Sequence, residues 1–279
     1  MAVDFLTPQV LAAQSGWLIL DASYALNGGA AKGEAAYGQE AIPGAKFWNI
    51  DACADPHTTL PHMLAPEIIF AHYLSGSGWE AGQPICIYDQ QGLFSAPRLA
   101  WELQGRGLAA PLSLLQGGLP AWRAAGLPTA AGTEVIAPAP PDPKLWWQDA
   151  FLSAYDLREV FDELQLDPPY GAQIVDARSP GRFAGTEPEP REGLRSGHIP
   201  GSINIPYASL VKDGRFADDF DLKGLDLSRA IVTTCGSGIT AAGLALALEA
   251  RGAKQVLVYD GSWTQWGDPR SMTPVSLGD

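Results

Sequence analysis

The sequence predicts an α/β protein built of two similar domains, each a mainly parallel sheet flanked by helices. Three observations carry the prediction. Four blocks of sequence recur in the same order in the two halves of the chain. Within each half the blocks read strand, loop, strand, helix, strand with short connections, the pattern of a parallel sheet with crossover helices. Between the halves runs a stretch rich in proline, alanine and glycine that cannot be a continuous helix.

Each block of the first half has its counterpart in the second. "WLILDAS" (17–23) resembles "AQIVDARS" (172–179), a short apolar strand ending in Asp-Ala. "AIPGAKFWNID" (41–51) resembles "HIPGSINIPYA" (198–208). "ICIYDQQGLFSAPRLAWELQGRG" (85–107) lies over "IVTTCGSGITAAGLALALEARG" (231–252), with one extra residue in the first copy. "LSLLQGGLPAW" (112–122) matches "VLVYDGSWTQW" (256–266). The short apolar and β-branched runs "PICIY" and "AIVTT" suit strands buried on both faces, and "LSLL" and "QVLVY" are strands again. "SAPRLAWELQGRG" and "ITAAGLALALEARG" read as helices that stop at Gly107 and Gly252, glycine being a frequent helix terminator. "PTAAGTEVIAPAPPDPK" (128–144) is the linker, because proline lacks the amide donor that a helix interior needs. The expected organisation is a first domain over 1–130, a linker over 131–148 and a second domain over 149–279.

Composition narrows the function classes. Of the 279 residues 46% are hydrophobic and 18% charged, enough for two packed cores. The net charge of −13 argues against nucleic acid or an anionic membrane surface as partner, since both need a positive face. No run approaches ~20 apolar residues, so no membrane span is expected. "MAVDFLTPQVLAAQSG" lacks a basic leader and a cleavage pattern and is not read as a signal peptide. Cys53, Cys86 and Cys235 form neither a disulfide framework nor a CxxC metal pattern, and a reducing cytoplasm is the expected compartment. No metal-ligand cluster or dinucleotide fingerprint is found, so no cofactor is expected.

One loop carries chemistry. Cys235 falls where a strand gives way to a helix, followed by Gly236, Ser237, Gly238, Ile239 and Thr240. Small residues let the backbone curl so that amide N–H groups converge on one centre, and the following helix adds its positive end. Both favour thiolate over thiol, and Cys235 is expected to be a reactive nucleophile rather than a buried structural thiol. The first copy has Asp89 at the aligned position, which cannot be a sulfur nucleophile. The first domain is therefore expected to be catalytically silent.

The duplicated domain, the "HIPG" turn and the cysteine loop resemble the rhodanese superfamily of sulfurtransferases, over nearly the whole chain. "CGSGIT" together with "GRFAGTEPEPR" (181–191) looks like the branch that uses 3-mercaptopyruvate. The resemblance implies two rhodanese-like domains and sulfur transfer through a persulfide on Cys235. Pyruvate would be released and the sulfur passed to cyanide or to a thiol acceptor such as thioredoxin or a small thiol. Relatives that use thiosulfate carry Arg and Lys inside the loop, where this chain has the neutral Gly236 and Ser237. Substrate charge recognition then falls to Arg182 and Arg191, the positions matching the family's substrate-binding arginines. A guanidinium fork suits a keto-acid carboxylate. The competing reading pairs both arginines with Glu187, Glu189 or Glu192 as solvated loop charges. Gly236, Gly238, Ile239 and Thr240 line the same loop as expected substrate contacts.

Expelling pyruvate as an enolate requires a proton. The resemblance implies a Ser–His–Asp set drawn from both domains: Ser237, His62 in "LPHMLAP" and Asp51 in "WNIDACAD". His57 lies close to His62 in sequence, and Asp51 could instead cap a turn. Phe94, where the family has an aromatic, is expected either to cover the substrate or to pack between domains. His198 is expected to support a turn, while His72, Cys86, Trp263 and Trp266 are expected to be structural. The alternatives are a thiosulfate:cyanide sulfurtransferase and a non-catalytic sulfur-relay module. A phosphatase of the Cys-x5-Arg type is disfavoured because the sixth residue after Cys235 is Ala241.

Overall fold

A computed structural model describes residues 3–141, 154–155 and 171–278. The chain divides into two compact units, Met1–Leu152 with Asp213–Arg215, and Ser153–Lys212 with Phe216–Asp279. Residues 142–148 of the expected linker and 149–153 of the expected second domain lie outside the described residues.

The first unit is a five-stranded sheet. Its strands are β1 (Asp4–Leu6), β2 (Leu18–Asp21), β3 (Lys46–Phe47), β4 (Ile85–Tyr88) and β5 (Leu112–Leu115), in the spatial order β1-β5-β4-β2-β3. Every pairing is parallel. The helices are α1 (Pro8–Ala12), α2 (Gly29–Gln39), α3 (Glu67–Gly76), α4 (Ala96–Gly105) and α5 (Gly118–Ala124). β4 and β5 are buried along their whole length, as strands with both faces covered must be.

The second unit repeats the plan. Its sheet has the order β6 (Ala154–Tyr155), β12 (Val256–Tyr259), β11 (Ile231–Thr234), β7 (Gln173–Asp176) and β8 (Ile203–Asn204), again all parallel. A two-stranded hairpin, β9 (Val211–Lys212) and β10 (Arg215–Phe216), stands apart from it. The helices are α6 (Pro180–Ala184), α7 (Ile239–Ala250) and α8 (Ser262–Trp266). β4 and β11 occupy the same place in their sheets, as do β5 and β12, and β2 and β7. The four recurring blocks thus become superimposable strand positions. α7 buries an unbroken run of Ala, Gly and Leu from Ala241 to Leu248 against β11 and β12. Gly107 and Gly252 end the paired helices in the left-handed conformation, at φ +70 and φ +98.

The described start of the proline-rich stretch is not a free tether. Ala130 and Ala41 exchange backbone hydrogen bonds, Phe47 N–H donates to Glu134 C=O at 2.8 Å, and Ile136 N–H donates to Phe47 C=O at 3.0 Å. Ala139 N–H reaches His72 C=O at 2.9 Å. The segment runs along the outer side of β3 and covers a sheet edge that would otherwise be open. Among the described residues no helix is long and apolar enough to cross a membrane.

Candidate active site

β11 is the central strand of its sheet, and Cys235 follows its last residue at the carboxyl end, where parallel sheets present ligand sites. The turn Cys235–Gly238 is fastened from behind by the start of α8. Ser262 Oγ accepts from Cys235 N–H at 3.1 Å and donates to Tyr259 C=O at 2.8 Å. Trp263 N–H donates to Cys235 C=O, and Thr264 donates through both N–H and Oγ1 to Gly236 C=O. With its carbonyls tied backward, the loop turns amide N–H groups the other way. Gly238 N–H donates to Cys235 Sγ at 3.1 Å. Gly238 itself sits at φ +88, a left-handed turn that a Cβ would strain, and leads directly into α7. Cys235 and Ser237 are buried at 2% and 7% exposure. Ile239 is buried and Thr240 half-buried on the first turn of α7.

The first unit shows what the same junction does with a carboxyl side chain in place of the thiol. Asp89 follows β4 as Cys235 follows β11, and its carboxylate is fully buried. Oδ1 accepts from the N–H groups of Gln91, Gly92 and Leu93 at 2.9, 2.7 and 3.1 Å. Oδ2 accepts from those of Phe94, Ser95 and Ala96 at 2.6, 2.9 and 3.0 Å. The expected silent loop is therefore an amide cradle already filled by its own carboxylate. Half-buried Phe94 is one of its donors.

Arg182, on α6, is brought to the cysteine loop. A Cβ built on Gly236 would lie 2.8 Å from Arg182 Nη2, so the guanidinium rests against that glycine. It is also an ion-pair partner of Glu189, through Nη2 to Oε2 at 2.6 Å and through Nε to both oxygens. The pairing with Glu189 weighed from sequence is thus present, but both side chains are largely buried rather than solvated. Behind Glu189 lies Arg178, itself 2% exposed, bonded to Asp176, Glu189 and Gly197 C=O and stacked 4.2 Å from the centre of the Trp263 ring. Arg191 is half-buried on the same segment.

In the first unit, His62 Nδ1 pairs with Asp51 Oδ1 at 3.2 Å. Of the two neighbouring histidines it is His62 that meets Asp51, while His57 is exposed. The His62 side chain is wholly buried and that of Asp51 is 42% exposed. Asp51 Oδ2 also accepts from Ala30 N–H at 3.0 Å at the start of α2, so it caps a helix and orients a histidine together. Tyr24 lies edge-on to the His62 ring with centroids 5.0 Å apart.

The remaining candidates are structural. His198 stacks on Phe183 at 3.8 Å and its Nδ1 meets Phe183 C=O at 2.9 Å. Trp263 and Trp266 are buried in the second core, and Cys86 in the first. Burial pushes the Cys86 thiol far up, and the Cys53 thiol is raised by burial and then by Glu102.

Residues 154–268 match the model of the rhodanese-like domain. The human 3-mercaptopyruvate sulfurtransferase is 38% identical over 258 residues, which cover 89% of this chain and 84% of that one. The chain belongs to the rhodanese-like sulfurtransferases. The thiosulfate sulfurtransferase of Cricetulus griseus is 35% identical to this sulfurtransferase over 261 residues, covering 90% and 85% of the two chains. The crystal structure of SseA from Escherichia coli, described as a 3-mercaptopyruvate sulfotransferase, has a TM-score of 0.75 and 32% identity, with 94% and 99% covered.

Three residues of the site went unread in the sequence of this sulfurtransferase, Arg178, Ser262 and Thr264, and Glu189 was weighed only as a solvated partner of the arginines. For Arg178 a signal existed. Aligning "DAS" with "DAR" sets Ser23 opposite a buried arginine, a change that alters the charge of the strand end. Ser262 and Thr264 act through contacts between loops distant in sequence, which no spacing rule announces.

Proposed function

We propose that the chain takes sulfur from 3-mercaptopyruvate through a persulfide on Cys235, releases pyruvate and passes the sulfur to a thiol or cyanide. The Cys235 thiolate attacks the thiol sulfur of the substrate. An S–S bond forms, the C–S bond breaks, and its electron pair leaves on carbon as the enolate of pyruvate. A proton then converts that carbon to the methyl group. An acceptor thiolate or cyanide attacks the outer sulfur of the persulfide and restores the Cys235 thiolate.

The single observation that carries the donor assignment is the placement of Arg182 against a neutral loop. Gly236 and Ser237 bring no charge of their own, and the cation beside them is a planar fork suited to a carboxylate. Two relatives named for 3-mercaptopyruvate, in human and in Escherichia coli, support the same donor. Arg182 and Arg191 hold the substrate, with Gly236, Gly238, Ile239 and Thr240 shaping the loop and Phe94 contributing an aromatic contact. His62, oriented by Asp51, and Ser237 manage the proton. The thiols of Cys53, Cys86 and Cys235 are all free, in keeping with a reducing compartment such as the cytoplasm. The second reading, thiosulfate as donor, is favoured by the Cricetulus griseus relative.

The deciding assay compares pyruvate release from 3-mercaptopyruvate with thiocyanate formation from thiosulfate, for wild type and Cys235→Ser. Pyruvate release should dominate in wild type and vanish in the variant. A preference for thiosulfate reverses the donor assignment, and activity retained without the thiol removes the persulfide mechanism. His62→Ala should slow persulfide formation in a single turnover; an unchanged rate removes His62 from proton transfer.

A further inference from the structure

We propose that Glu189, backed by Arg178, is a positioning residue for substrate recognition, fixing Arg182 so that its terminal edge is presented to the cysteine loop. The inference rests on Arg182 as a substrate-binding residue, as proposed above. A guanidinium has two usable forks, one along Nε and Nη2 and one across Nη1 and Nη2. Glu189 occupies the first: its carboxylate accepts from Nε at 3.2 and 3.3 Å and from Nη2 at 2.6 Å. The atoms nearest Gly236 are Nη2, Cζ and Nη1, the terminal end of the group. The second fork therefore faces the loop, and among the described residues Nη1 donates no hydrogen bond within the chain.

Arg178 explains why Glu189 holds still. Its three nitrogens are committed to protein: Nε and Nη2 to Asp176, Nη2 also to Gly197 C=O, and Nη1 to Glu189 Oε1 at 2.7 Å. Its side chain is 0% exposed, so it does not itself meet a ligand. Asp176, Arg178, Glu189 and Arg182 form an alternating row of two anions and two cations that starts at the end of β7 and ends at Gly236. Each buried charge has an opposite neighbour, the condition under which such a row keeps one geometry. A substrate carboxylate then meets an arginine whose orientation entropy is already spent. The first unit has Ser23 in place of Arg178, so no arginine stands at the matching place to begin such a row, as expected for a loop that needs no substrate.

The test is steady-state pyruvate release from 3-mercaptopyruvate by the full chain carrying Glu189→Gln, Arg182→Leu or both. Loss of one charge-assisted bond pair predicts that Glu189→Gln raises KM about tenfold with kcat changed less than about threefold. The double variant should be no worse than Arg182→Leu alone, because Glu189 acts through Arg182. The inference is overturned if Glu189→Gln leaves KM unchanged, lowers kcat as much as it raises KM, or adds its full penalty to that of Arg182→Leu. If Arg182→Leu itself leaves KM unchanged, the substrate-binding role of Arg182 fails first. Should Glu189→Gln not fold, Arg182→Lys supplies the test: it keeps the charge but cannot fill two forks. Its KM should approach that of Arg182→Leu, and a wild-type KM overturns the fork geometry.

Discussion

Asp89→Asn asks how much the filled cradle of the first unit is worth. The substitution keeps the shape of the side chain and removes its charge. One of the two sets of three amide donors keeps a carbonyl oxygen; the other set meets an NH2 group that cannot accept. Three backbone N–H groups, for instance those of Phe94, Ser95 and Ala96, thereby lose their acceptor. Hydrogen bonds to a charged group contribute about 1.5–3 kcal/mol each. Water reaching the half-exposed side of the loop recovers part of that, leaving a net loss of about 3–5 kcal/mol. With a urea m-value of about 1.5–2 kcal/mol/M, the midpoint should fall by roughly 2 M. Urea unfolding followed by circular dichroism measures it. A loss under about 1 kcal/mol would refute the claim that the carboxylate organises the loop, because the amides would then be satisfied equally well without it.

Three further perturbations test the same geometry. Gly236→Ala places a Cβ 2.8 Å from Arg182 Nη2, so the guanidinium held by Glu189 must shift. KM for 3-mercaptopyruvate should rise severalfold while the melting temperature stays nearly constant, and an unchanged KM would detach Arg182 from the loop. Ser262→Ala deprives the buried Cys235 N–H of its acceptor and should cost about 1–3 kcal/mol of stability with slower persulfide formation, read by calorimetry and single-turnover kinetics. Wild-type values for both would show that the loop does not depend on that hydroxyl. Burial raises the Asp21 carboxyl from 3.8 to about 6, against the lowering effect of its bonds from Ser23 and Gln90. Because the folded state binds its proton more tightly than the unfolded one, this contribution to stability is full below about pH 4 and is lost as pH rises through about 6, an effect of about 3 kcal/mol. Asp21→Asn should flatten that part of the stability–pH curve; an unchanged slope in urea titrations would refute it.

The central strands and the paired helices were legible because their signals are local: β-branched runs for β4 and β11, and an Ala- and Leu-rich run closed by glycine for α7. The edge strands β1, β3, β6 and β8 span two or three residues and exist only through their partners, so no periodicity announces them. α2, "GAAKGEAAYGQ", contains three glycines and reads as a loop, yet Gly33 is required there. A Cβ at that position would fall 2.0 Å from Ser23 C=O, so the helix can pack on the end of β2 only without one. Cys235 was legible from its place between a strand and a helix. Glu189 was not, because a glutamate in a proline-rich loop looks solvated until Arg178 is seen behind it.

The two cradles together fit the proposal that one loop is inert and the other reactive. In the first unit the Asp89 side chain takes six amide hydrogens, and the loop is long enough to deliver them: α4 starts at Ala96, well beyond Asp89. In the second, α7 starts at Ile239, and Gly238 N–H is bonded to the sulfur. Among the described residues, the N–H groups of Gly236 and Ser237 donate to nothing within the chain. Committing every amide in the resting state would stabilise the ground state without stabilising the transition state of sulfur transfer. Amides left open can instead meet the negative charge that develops on the departing enolate, and only such differential binding lowers a barrier. On that proposal the same strand-to-helix junction is a structural knot where its donors are spent and a reactive centre where some are held back.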